Sequence, residues 1–148
     1  MPSTVDELIK LVRSEFDSVA QNLNLKGPTL EKKNMYFTLG YFGNSLGLEV
    51  NVDLSPFFIF ALVFRDGSGP NIPVGYVDST GARQVRYVQD AMEILGLPYE
   101  KEDKELKRLG GDWENCEAMV SILAQLVMSS WSQLCNNSDR LFPSAASD

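Results

Sequence analysis

The chain has 148 residues, a hydrophobic content of 44% and a formal net charge of −7, values typical of one soluble domain with a single core. The negative charge argues against nucleic-acid binding, because proteins that bind nucleic acids need basic surfaces to contact phosphates. Histidine is absent, which excludes Ser-His-Asp and Cys-His catalytic sites and nearly all zinc sites with mixed ligands. We therefore expect no catalytic residue, no cofactor and no metal.

The apolar runs and the two cysteines indicate the compartment in which the protein is expected. No apolar run reaches the roughly 18 residues that a membrane-spanning helix requires, and the N-terminus lacks the basic start and apolar core of a secretory signal. Cys116 and Cys135 fall in one predicted helix about 28 Å apart, at 1.5 Å per residue, which is too far for a disulfide. Because unpaired thiols fit a reducing compartment, we expect a cytoplasmic protein that binds no membrane.

The first predicted element is an amphipathic helix over Thr4–Asn24, where apolar residues recur at helical spacing. Thr4 and Glu7 form a capping-box pattern at its start. Gly27 and Pro28 then interrupt the chain before the first predicted strand.

Three antiparallel strands are predicted next, over Met35–Phe42, Leu46–Leu54 and Phe57–Phe64. The second strand alternates apolar and polar residues, so the face that carries Glu49 and Asp53 should be in water. The third strand is apolar at every position, which predicts a central strand covered on both faces; a lipid or cofactor groove is the alternative. The residues expected to be largely buried are Val50, Val52, Phe58, Phe60, Leu62 and Val127.

The second half of the chain is predicted to be mainly helical. Val74–Asp78 is a candidate fourth strand, and residues 136–148 are expected to be a frayed tail. Helices are predicted over 79–98, over the charged segment 99–109 and over 113–135, the last capped by Asp112. Together the elements predict a single α+β domain over residues 1–148. Its antiparallel sheet of three or four strands packs in two layers against an N-terminal helix and two to three C-terminal helices.

The segment from Tyr36 to Arg86, about one third of the chain, contains an aromatic strand, an alternating Leu/Glu/Val strand and an apolar strand that ends in "RDG". A proline-bearing loop, "GYVD" and the pattern Gly81, Arg83 and Arg86 follow. This order of strand types and turns resembles immunity proteins of bacterial polymorphic toxin systems, including contact-dependent growth inhibition.

The resemblance implies a cytoplasmic antidote that binds the C-terminal domain of a cognate toxin, a nuclease or a similar enzyme, and blocks its active site. Nuclease clefts must engage phosphate and are often basic, so an acidic inhibitor would be attracted to them. The candidate toxin-binding acids lie on the second strand, on the charged helix and at the start of the last helix: Glu49, Asp53, Glu100, Glu102, Asp103, Glu105, Asp112, Glu114 and Glu117. Each of them is also compatible with an ordinary solvated surface. Arg83 and Arg86 fit a structural ion pair at least as well as a toxin contact.

Two other functions stay open. A secretion chaperone has a similar size, acidity and α+β composition, but it would bind an unfolded effector as a stable homodimer, whereas the antidote is expected to be a monomer, with a dimer as the alternative. A small-molecule-binding domain or a carboxylate-dependent hydrolase would need an apolar pocket with two converging acids.

Overall fold

The computed structural model describes residues 2–65 and 84–143, and the α+β prediction is confirmed. Within this part of the chain, five strands form one antiparallel sheet in the order β1-β2-β3-β4-β5. The strands are β1 (Lys26–Lys32), β2 (Tyr36–Phe42), β3 (Leu46–Leu54), β4 (Phe57–Arg65) and β5 (Val85–Tyr87). The helices are α1 (Val5–Leu23), α2 (Val88–Ile94), α3 (Glu100–Leu109), α4 (Cys116–Asn136) and α5 (Ser138–Leu141), with a 3-10 turn at Trp113–Asn115 before α4.

The main core lies between one face of the sheet and the helices. Leu39, Val50 and Ala61 sit side by side across β2, β3 and β4, and all three are fully buried. Helix α4 packs between α1 on one side and α3 on the other and crosses β4. Although Trp113–Asn136 is long and apolar enough by composition to cross a membrane, ten residues of α4 are buried in this core, as expected for a core helix of a two-layer domain.

Helix α1 begins where its capping pattern predicts. The Thr4 hydroxyl accepts a hydrogen bond from the Glu7 backbone N–H at 3.1 Å, and the Glu7 carboxylate accepts one from the Ser3 N–H at 2.8 Å. These side-chain bonds satisfy backbone donors that the first helical turn leaves unpaired. The hydrogen bonds that the Ser3 backbone N–H and hydroxyl donate to the Glu7 carboxylate lower the pKa of Glu7, because they favour its charged form.

The opposite face of the sheet carries a smaller apolar cluster of Leu62, Phe64 and Val85, with partly buried aromatic residues around it. The prediction that the third strand is covered on both faces is therefore correct for its C-terminal half. It is wrong for the N-terminal half, because Phe58 and Phe60 are only partly buried. The other four residues of the predicted core, Val50, Val52, Leu62 and Val127, are buried.

Two strands were not predicted. Strand β1 contains Gly27 and Pro28, which the sequence pattern predicts to interrupt the chain. The β1–β2 register shifts at this point, and Gly27 has φ 124°, a backbone conformation that glycine adopts readily. Strand β5 and the start of α2 at Val88 correct the predicted helix over 79–98, since residues 85–87 are extended. The candidate strand Val74–Asp78 lies outside the described residues.

The C-terminal segment is another correction. Residues 138–141 form α5, and Leu141 and Phe142 are buried, so this part of the predicted frayed tail is docked. The Arg65 guanidinium donates to the Phe142 carbonyl, and Arg86 donates to the Leu141 carbonyl. Arg86 thus has a structural contact, while Arg83 lies outside the described residues.

Candidate functional site

A cleft follows the edge of β4 that β5 leaves open. Strand β5 pairs only with residues Leu62–Phe64, because the chain turns into α2 at Val88. The Arg65 N–H reaches the Gln84 carbonyl at 3.0 Å, and the Phe57 carbonyl accepts from Gly111 N–H at 2.7 Å. Since backbone groups alternate sides along an antiparallel strand, the odd-numbered residues of β4 present their N–H and C=O to this edge. Ile59, between them, therefore does so inside the cleft.

Aromatic side chains form one wall of the cleft. Phe58 and Phe60 point to the same face of β4, because side chains two residues apart share a face of a strand. Their ring centroids are 6.2 Å apart and their planes differ by 23°, while Tyr87 lies 5.8 Å from Phe60. The Phe58 ring packs against Gly110, where a Cβ would lie only 2.4 Å from a ring carbon.

The helices supply the second wall. The cleft has a volume of about 510 Å³, within the range of ~300–1,000 Å³ that small ligands occupy. Its remaining lining residues are Ile59, Gln89, Asp90, Tyr99, Asp103, Leu106, Lys107 and Met119. We call this feature the aromatic cleft; one wall is apolar and the other carries two carboxylates and one ammonium group.

Its polar groups are partly engaged with one another. Asp103 contacts the Lys107 ammonium at 3.0 Å through one oxygen and accepts from the Gln89 amide at 3.4 Å through the other. Asp90 is exposed and forms no ion pair with the described residues. Loss of hydration raises the pKa of Tyr99, and its hydrogen bond to the Glu93 carboxylate raises it further, so the phenol stays protonated at neutral pH.

Negative charge is concentrated in the segment that forms the helical wall. Residues 88–117 contain nine acidic and four basic side chains, a formal charge of −5 out of −7 for the whole chain. Much of it lies on α2, α3 and the turn before α4. The potential at the cleft should therefore favour a cationic ligand.

The structure places one predicted toxin-binding acid in this cleft and a second on the strand next to its aromatic wall. Asp103 lines the aromatic cleft, and Asp53 is the cross-strand partner of Phe58. Glu100 and Glu102 lie on the first turn of the same helix as Asp103. The prediction that the charged helix presents acids to a partner surface is therefore compatible with its position beside the cleft.

Other predicted acids have local roles or different positions. Glu105 pairs with Arg108. Asp112 accepts from the Glu114 N–H at 2.9 Å and so caps the turn before α4, while Glu114 itself is exposed. Glu49 is only 2% exposed, so the prediction that its strand face is in water is wrong at this position. Thr38 on β2 is buried as well, and its hydroxyl donates to the side-chain oxygen of its cross-strand partner Asn51 at 2.6 Å.

Sequence reasoning missed the aromatic members of the site and Asp90. The apolar pattern predicts Phe58 and Phe60 in the core, with a groove along this strand as the alternative. The sequence pattern predicts Tyr87 and Asp90 on one continuous helix, whereas the structure has a junction between β5 and α2 at Val88. The local signal for the site in the sequence is the density of phenylalanines in the strand Phe57–Phe64.

The part of the chain that the structure describes contains no cluster of three or more His, Cys, Asp or Glu residues that could hold a metal ion. Comparison with protein-family models, with curated proteins and with solved structures finds no match to this chain. The chemistry of the aromatic cleft and the resemblance over Tyr36–Arg86 are therefore the two indications of function.

Proposed function

We propose that this protein is a cytoplasmic immunity protein that binds a cognate toxin domain, a nuclease, and neutralises it by occluding its active site. The observation that carries the proposal is the aromatic cleft, whose helical wall belongs to a segment of formal charge −5. Partly exposed aromatic rings surrounded by charged residues are the composition of a protein-binding hot spot with a polar rim. The resemblance of the strand and turn pattern to toxin-system immunity proteins supports the same function.

The charge distribution suits an inhibitor of a phosphate-binding enzyme. A nuclease cleft has to attract a polyanion, so it presents basic side chains. An acidic surface on the inhibitor accelerates its encounter with such a cleft, and the acceleration falls as salt screens the charges over about 8–10 Å. Inhibition by occlusion requires no nucleophile, metal or general base on the inhibitor itself.

The test is binding kinetics between this protein and the toxin domain encoded beside it, at low and high salt. Glu102 lies on the first turn of α3 and forms no ion pair within the described residues. Glu102→Lys should lower the association rate by about tenfold at low salt and by less at high salt. The matched control is Glu15→Lys, which makes the same charge change on the exposed side of α1, across α4 from the cleft.

Three results would count against the proposal. The first is that the neighbouring toxin domain does not bind this protein. The second is that the nuclease activity of the toxin persists in the complex. The third is that Glu15→Lys slows association as much as Glu102→Lys. If neither salt nor the two charge-reversal variants changed the association rate, electrostatic attraction would be refuted as the cause of fast binding. Occlusion of the toxin through an apolar interface would remain in place.

One separate observation favours the chaperone alternative. Leu30, Met35 and Tyr36, around the β1–β2 turn, are 47%, 58% and 39% exposed, and β1 is a sheet edge that a second copy could cover. A chaperone should be a stable dimer in light scattering, and Met35→Glu should dissociate it. A monomer that binds a folded toxin domain would exclude this function.

A further inference from the structure

We propose that the aromatic cleft is an anchor site for an arginine side chain of the protein partner. The identity of that partner as a toxin domain rests on the proposed function, whereas the preference for arginine rests on the geometry of the cleft alone.

The aromatic wall suits a flat cation. Phe58 and Phe60 are close to parallel, with Tyr87 beside Phe60, so they present ring faces and edges along one side of the cleft. A guanidinium group is planar and weakly hydrated, and it stacks on such faces through cation–π attraction. An ammonium group is compact and strongly hydrated, so it would lose more on entering.

The polar groups suit the donors of a guanidinium. Arginine carries five N–H donors in a fixed fork, and the residues that line the cleft include both carboxylate and backbone acceptors. Asp90 forms no ion pair with the described residues, and the backbone of Ile59 lies at the open edge of β4. The carboxylate neutralises the charge, while the carbonyl of Ile59 accepts a further donor.

Lys107 competes with an incoming arginine for the Asp103 carboxylate. Its ammonium group contacts Asp103 at 3.0 Å, and its side chain is 78% exposed while that of Asp103 is 22% exposed. An exposed ion pair of this kind is weak, so an incoming guanidinium can take over the carboxylate while the lysine returns to water. Removing the lysine should therefore strengthen binding.

The cleft also fits the size of such an anchor. About 510 Å³ exceeds the volume of one side chain and leaves room for the backbone on either side of it. A single anchored arginine gives weak binding in isolation, in the ~1–10 mM range that a few kcal/mol provides.

The experiment is an NMR titration of the whole protein with the blocked tripeptide acetyl-Gly-Arg-Gly-amide. Two matched peptides replace arginine by citrulline, which keeps the shape without the charge, or by lysine, which keeps the charge without the fork. The arginine peptide should shift the backbone amides of Ile59, Tyr87 and Asp103 saturably. The citrulline and lysine peptides should bind about tenfold and at least threefold more weakly, respectively.

Variants at cleft residues test whether the arginine peptide binds in the aromatic cleft. Tyr87→Leu and Asp90→Asn should each weaken the arginine peptide about three- to tenfold, and Lys107→Met should strengthen it about twofold. Glu15→Gln on α1 is the control and should change nothing. An unperturbed spectrum away from the cleft verifies the fold of each variant.

The inference is overturned if citrulline binds as tightly as arginine, if the shifts map elsewhere, or if no saturable shift is seen over the millimolar range. Because no toxin is present, this outcome is separate from the fate of the proposed function. If the toxin binds this protein but the cleft does not bind arginine, only the arginine inference is refuted. If the cleft binds arginine but the toxin does not bind this protein, only the proposed function is refuted.

Discussion

Replacing Phe142 with alanine tests whether the C-terminal segment belongs to the fold. Phe142 is 1% exposed, and truncating a buried phenylalanine costs about 3–5 kcal/mol of unfolding free energy. A frayed tail, as the sequence predicts, would lose almost nothing.

A terminal segment can avoid the cavity by undocking, so the cost of undocking sets an upper limit. The Arg65 and Arg86 side chains donate to the carbonyls of Phe142 and Leu141. Hydrogen bonds with a charged partner contribute about 1.5–3 kcal/mol each. Losing both would cost about as much as the cavity, so undocking offers no cheaper route and we expect a loss of about 3 kcal/mol or more.

The assay is urea unfolding followed by circular dichroism, together with a thermal melt. For a chain of this size a loss of 1 kcal/mol lowers Tm by about 2–4 °C, so Phe142→Ala should lower Tm by about 6–12 °C or more. Asp139→Ala, at an exposed position in the same short helix, should stay within about 0.5 kcal/mol of the parent. If Phe142→Ala were as stable as Asp139→Ala, the docking of this segment would be wrong.

Two further substitutions test the sheet and the first helix by the same unfolding assay. Phe57→Ala should cost about 3–5 kcal/mol, because Phe57 is fully buried on the helix-covered face; Phe60→Ala should cost about half as much, and equal losses would contradict the assignment of the two faces. Thr4→Ala should cost about 1 kcal/mol through loss of the N-cap, whereas Ser14→Ala at an exposed position of α1 should cost little; indistinguishable stabilities would contradict the cap.

Periodicity within each segment was sufficient to predict the elements that carry a strong local pattern. The helical spacing and capping pair of α1, the alternation in β3, the apolar run of β4 and the long apolar face of α4 all specify an element type without reference to any neighbour. These four elements also require two layers, because each has an apolar face that must be covered. The α+β class was therefore predictable from the sequence.

What covers each face was decided only by the tertiary structure. Alternation places Glu49 and Phe60 on the same side of the sheet, but it does not determine whether that side is covered at either position. In the structure, Glu49 is buried and Phe60 is partly exposed. The aromatic cleft exists because β5 ends after three residues and leaves the edge of β4 uncovered, and Asp90 and Asp103 reach it from two different helices. A local pattern records how side chains repeat along one segment, whereas a cleft depends on where distant segments stop, and that is determined by how they pack together.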